Sequence, residues 1–80
     1  MKELHLHILS PEKTIFDGTV TSVILPGKMG NFTILVNHAP IVSSLEKGEI
    51  KYVNEKGEQT IQIEGGFIEL KDNIIQVCIS

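Results

Sequence analysis

The sequence predicts an all-β fold, a flattened antiparallel sandwich of about eight to ten short strands, and three observations carry that expectation. Turn signals recur at Ser10-Pro11, Asp17-Gly18, Pro26-Gly27, Lys47-Gly48, Lys56-Gly57, Gly65-Gly66 and Asp72-Asn73, and leave segments too short for most helices. Within the segments the apolar residues follow period two. No window shows a sustained i, i+3, i+4 stripe with helix caps. A single open sheet would leave one apolar face wet, so the strands are expected to close against each other as one domain spanning residues 1–80.

Leu4, Leu6 and Ile8 alternate with His5 and His7 and predict a first strand with its apolar face inward. Val23-Ile24-Leu25 is continuous, as in a strand covered on both faces or crossing between sheets. Phe32, Ile34 and Val36 predict the next strand, Ile50 and Tyr52 another, and Ile61 and Ile63 another. In the last strand Ile75, Val77 and Ile79 share one face, while Cys78 falls with Gln76 and Ser80 on the other and is expected to be partly buried. The predicted core therefore includes Leu6, Ile8, Phe32, Ile34, Ile61 and Ile63. Gly65-Gly66 before Phe67 marks a sharp corner where backbone passes close to another element.

Composition narrows the function. With 41% hydrophobic and 21% charged residues in 80, the chain is a compact domain, too small to carve a large cleft from its core. Seven basic residues against ten acidic ones give a net charge of −3. A broad positive field is missing, and no nucleic-acid partner is expected. Apolar runs are far shorter than the ~20 residues of a membrane span, and no direct membrane insertion is expected. The first ten residues alternate where a signal peptide would be continuously apolar, which points to the cytosol. The single cysteine excludes an intrachain disulfide and points to a reducing compartment.

Several residues invite a chemical reading. His5 and His7 project from one strand face as a metal-binding pair does, and His38 is the third imidazole, which together sketch a small metal-dependent enzyme. The plainer reading is two polar residues on the outer face of a strand and a polar tip at the Asn37-His38-Ala39-Pro40 corner, with no catalytic residue, metal or cofactor. The glycine-bearing turn Pro26 to Asn31 is followed by a strand pattern, whereas a phosphate cradle needs a helix N-terminus. Lys28-Met29 at its tip is also similar to the modified lysine of biotinyl and lipoyl carrier domains, although Gly27 stands where biotinyl domains have a methionine. Cys78 has no basic neighbour in sequence to activate it and reads as inert.

The order of these features resembles the N-terminal domain of the epsilon subunit of F-type ATP synthase, called delta in mitochondria. The stretches that carry the resemblance are Leu6 to Glu12, Phe16-Asp17-Gly18, Pro26-Gly27 through Gly30, Asn37-His38-Ala39-Pro40, Leu45 to Gly48 and Gly65-Gly66-Phe67-Ile68-Glu69. The resemblance implies a β-sandwich of about ten strands and a non-catalytic rotor subunit, peripheral on the cytoplasmic face of the bacterial inner membrane. It implies that the gamma subunit packs near Ser10, His38 and Ser43, and that the polar loops of the c-ring lie under Lys28, Met29, Gly30 and Asn31. Asn31 and Thr33 stand where members of the family often carry an acidic residue and a second glycine. Most members continue into a hairpin of two helices, and the sequence given ends at Ser80; the expectation is a subunit that supports coupling without inhibiting by extension and without a nucleotide site.

Overall fold

The computed structural model describes residues 2–80. Nine strands follow in order: β1 (Leu4–Leu9), β2 (Thr14–Val20), β3 (Ser22–Gly27), β4 (Gly30–Ile34), β5 (Ile41–Leu45), β6 (Gly48–Asn54), β7 (Gly57–Ile63), β8 (Gly66–Lys71) and β9 (Ile74–Ile79). They form a five-stranded sheet in the order β2-β1-β9-β8-β5 and a four-stranded sheet in the order β4-β3-β6-β7. The predicted all-β sandwich is the fold observed, and no helix occurs among the described residues.

One departure from the purely antiparallel expectation is β1 against β9, which run parallel from His5↔Ile74 to Leu9↔Cys78. Parity explains it. Each strand reverses the direction of the one before, so the first and ninth point the same way, and pairing them closes the sheet between the two ends of the chain. The single residue Thr21 carries the chain from β2 into β3 and from one sheet to the other, its N–H donating to the Val53 carbonyl at 2.8 Å.

The core is the interleaved inner faces. Leu4, Leu6 and Ile8 of β1, Val23 and Leu25 of β3, Ile34, Ile50, Ile68, Leu70, Ile75 and Val77 are all fully buried. At about 1.5–3 kcal/mol for each large aliphatic side chain removed from water, this layer is the main source of stability. Four of the six predicted core residues, Leu6, Ile8, Ile34 and Ile63, are buried, whereas Phe32 and Ile61 are half-buried at its margin. Each shares its edge strand with a buried residue, Ile34 on β4 and Ile63 on β7, so position along the strand and not the open edge alone sets the exposure. Val36 departs further: β4 ends at Ile34, and Leu35 and Val36 turn away from the sheet and are exposed. Ile24 is half-buried on the outer face of the interior strand β3, between fully buried neighbours on its inner face.

Candidate functional site

Lys28 and Met29 form the two-residue tip between β3 and β4, closed by the Gly27↔Gly30 pair. Gly30 has φ of 115°, a conformation that side chains disfavour, which ends the turn and starts the return strand. A Cβ on Gly27 would come within 2.8 Å of the Phe32 ring, so the tip is drawn tight against its own hairpin. Met29 is consequently thrown outward and is 99% exposed. Pro26 is buried behind it, beyond the end of the β3–β6 ladder at Ile24↔Lys51, and its carbonyl accepts the Glu46 N–H at 2.9 Å. The loop matched by Lys28 to Asn31 is thus a stiffly based, solvent-facing projection.

His38 follows a turn in which its N–H donates to the Leu35 carbonyl at 3.2 Å. Asn37 stands at the third position with φ of 66°, as a turn of that kind requires. The His38 ring sits against its own chain, Nδ1 lying 2.7 Å from the Ala39 carbonyl. Ser10 closes the β1–β2 turn: its hydroxyl donates to the Lys13 carbonyl at 3.1 Å and accepts the Lys13 N–H at 3.2 Å. Ser43, half-buried on the edge strand β5, faces Ile68 in register, and its hydroxyl donates to the Ser44 carbonyl at 3.1 Å.

These three residues do not converge. Ser10 lies beyond Leu9, in the row Leu9–Cys78–Phe67–Ser44, while His38 lies before β5 near the opposite end of the same sheet. Six residues of strand separate those ends, about 20 Å. A partner covering about 800 Å² spans such a distance, so one contact face can include them where one pocket cannot. The outer face carries half-buried Leu9 and Cys78 in register with exposed Phe67, with exposed Val42 on the neighbouring strand β5, whereas Ser43, in register with buried Ile68, turns to the inner side at the open β5 edge.

His5 and His7 project from one face, opposite the buried Leu4, Leu6 and Ile8. His5 Nε2 lies 2.5 Å from an Asp17 carboxylate oxygen across the strand pair. No group of three metal-ligating side chains converges among the described residues, and His38 is far along the chain from this pair. Cys78 is half-buried, as its register predicts. A cleft of about 640 Å³ between β2 and the β6–β7 hairpin includes Glu3, Asp17, Glu55 and Lys56 in its lining. Sequence reasoning missed Asn73, which is buried and bonds through its side chain to Asn37. Its signal was present only as an ordinary turn pair, Asp72-Asn73.

What fold and surface define is a small two-sheet β-sandwich whose distinctive residues stand on turns and at strand edges and faces. Residues 3–80 match the family described as ATP synthase, Delta/Epsilon chain, beta-sandwich domain, and the chain belongs to that family. It is 41% identical over 75 residues to the ATP synthase epsilon chain of Leptospira borgpetersenii, covering 94% of this chain and 59% of that one. It is 44% identical over 73 residues to the ATP synthase epsilon chain of Chlorobium limicola, covering 90% and 83%. The chain therefore spans about three fifths of the Leptospira relative. The fold also matches a chain of the Euglena gracilis mitochondrial ATP synthase OSCP/F1/c-ring structure, with a TM-score of 0.88 at 20% identity, over 96% of this chain and half of that one. A chain of the Tetrahymena thermophila mitochondrial central stalk and c-ring matches with a TM-score of 0.80 at 15% identity, over 98% and 63%.

Proposed function

We propose that the chain is a non-catalytic rotor component of an F-type ATP synthase, which binds the gamma subunit and rests on the c-ring so that the two turn as one body. The observation that carries this reading is the match over residues 3–80 to the family's β-sandwich, at about two-fifths identity to named epsilon chains. A stiff sandwich suits the task, because close-packed cores transmit strain rather than absorb it. Gamma packs around the open β5 edge near Ser10, His38 and Ser43, where the exposed Phe67 and Val42 on the adjoining outer face supply apolar contact. The c-ring lies under the Lys28–Asn31 tip. The assembly sits peripherally on the cytoplasmic face of the bacterial inner membrane; no helix among the described residues is long and apolar enough to cross a membrane.

The test is reconstitution of the ATP synthase with and without this chain, together with titration by purified gamma. Saturable gamma binding, and ion pumping by ATP hydrolysis that depends on the chain, are the expected results. Ser43→Glu places an unpartnered charge in the contact and should weaken gamma binding at least tenfold while the domain stays folded. Pumping that is indifferent to the chain would overturn the coupling role, and unchanged affinity would remove Ser43 from the interface.

A further inference from the structure

The Leu35–His38 corner is anchored outside its own loop. Asn73 occupies the second central position of the β8–β9 turn with φ of 63°, after Asp72 with φ of 50°. Glycine serves that backbone at least as well. The asparagine adds a side chain that is 9% exposed and has both polar atoms engaged by Asn37. Its Oδ1 accepts the Asn37 N–H at 2.6 Å, and its Nδ2 donates to Asn37 Oδ1 at 3.2 Å. The Asn73 carbonyl accepts the His5 N–H at 2.8 Å, which ties the same residue into β1. The corner is thereby fixed to the five-stranded sheet, yet it projects Leu35 and Val36, 55% and 45% exposed, beside His38.

We propose that the Asn37–Asn73 clasp is a positioning device, which holds the Leu35–His38 corner in the shape that gamma recognises. Leu35 and Val36 make the apolar contact, and Asn73 acts through Asn37 without touching the partner. This rests on the gamma-binding reading above. Two such side chains are a fraction of a stable interface, so the corner is one anchor of the wider face that includes Ser10 and Ser43. Its advantage is preorganisation: a corner already ordered does not have to be ordered on binding.

That distinction has a kinetic signature. Binding that requires a rearrangement first is slower to associate, whereas loss of a contact shows mainly in dissociation. Asn73→Gly preserves the turn and removes the clasp; Leu35→Ala preserves the clasp and removes a contact. With purified gamma, Asn73→Gly should slow association about fivefold and leave dissociation within about twofold, while Leu35→Ala should speed dissociation. Asn73→Asp, which keeps an acceptor for the Asn37 N–H, should recover most of the association rate. Hydrogen exchange of the Asn37 amide, measured on the free chain, should accelerate at least tenfold in Asn73→Gly. A merely structural Asn73 would lower thermal stability and leave the association rate of the folded variant unchanged, and that result overturns the proposal. An unaltered Asn37 exchange rate overturns the clasp itself. Absence of gamma binding by the unmodified chain overturns the gamma reading instead, with the exchange measurement still judging the clasp.

Discussion

Where β3 passes to β4 and β7 to β8, the residues with positive φ are Gly30, Gly65 and Gly66; where β4 passes to β5, β6 to β7 and β8 to β9, they are Asn37, Gly57, Asp72 and Asn73. One end of the sandwich reverses its chain with glycine and the other largely with asparagine and aspartate. Gly66 allows backbone to approach backbone, while Gly30 stands in open space. A Cβ on Gly66 would fall 2.2 Å from the Cys78 carbonyl oxygen, and the neighbouring Gly65 carbonyl accepts the Ser80 N–H at 3.2 Å. At the other end two left-handed positions carry side chains that bond, Asn73 to Asn37, and three residues before the left-handed Gly57 the Asn54 Oδ1 accepts the Lys56 N–H at 2.9 Å. Both devices satisfy the same backbone geometry. Glycine permits close packing and fixes nothing beyond it, whereas asparagine tolerates the conformation and also cross-links one turn to another.

The contrast is sharpest in paired alanine substitutions. Gly66→Ala meets both an unfavourable φ of 155° and a backbone oxygen that has no flexible end to move, so a loss of about 3 kcal/mol is expected. Gly57→Ala meets open space, with nothing within 4 Å of the added carbon, and should cost about 1 kcal/mol for its φ of 104° alone. Gly57→Asn should be milder still. Chemical denaturation of the three variants decides the matter: equal losses for Gly66→Ala and Gly57→Ala would show that conformation, and not close packing, governs the glycine end.

The same two ends divide what the sequence revealed from what it hid. Alternation in Leu4 to Ile8 correctly assigned the faces of β1, including the outward His5 and His7, because period two is a local property. Gly65-Gly66 was legible as a close approach, since paired glycines before a strand have few other uses. The tip at Lys28-Met29 was legible for the same reason. What escaped depended on neighbours remote in the chain. Phe32 and Ile61 carry the same core pattern as the buried Ile34 and Ile63 on their own edge strands, and the pattern does not say which end of such a strand the core covers. Val36 continues the alternation of Phe32 and Ile34 after the strand has ended. The Asn37–Asn73 pair joins residues 36 positions apart, each of which reads alone as a turn former. Of the contact residues implied by resemblance, Ser10 and His38 stand on turns visible in sequence, while the edge position of Ser43 required the sheet order.

A smaller effect is expected where the asparagine end relies on one side chain within its own hairpin. Asn54→Ala removes the acceptor for the Lys56 N–H, an exposed bond, and should cost about 0.5–1 kcal/mol. Amide exchange at Lys56 should quicken while gamma binding stays unchanged, because this turn is not tied to the His38 corner. A loss comparable with that of Gly66→Ala would place more of the stability in these caps than the comparison allows.

The smallest expected effect concerns Tyr52, whose ring packs on Phe16 across the seam between the sheets with centroids 4.4 Å apart. Burial raises the phenol above its ordinary value of 10.0, because removal from water disfavours the phenolate. The linkage follows in sign. Below the unfolded value the phenol is protonated in both states and its contribution to stability is intact; as pH climbs through the raised folded value, the unfolded chain releases its proton more readily and stability falls. Tyr52 is the chain's one tyrosine, and there is no tryptophan, so the near-ultraviolet phenolate absorbance reports this group alone. The midpoint should lie above that of the denatured chain, and Tyr52→Phe should flatten the alkaline loss of stability while leaving neutral-pH stability nearly unchanged. A folded midpoint at or below the denatured one would mean that water reaches the phenol, and that the seam beside the asparagine end is open rather than packed.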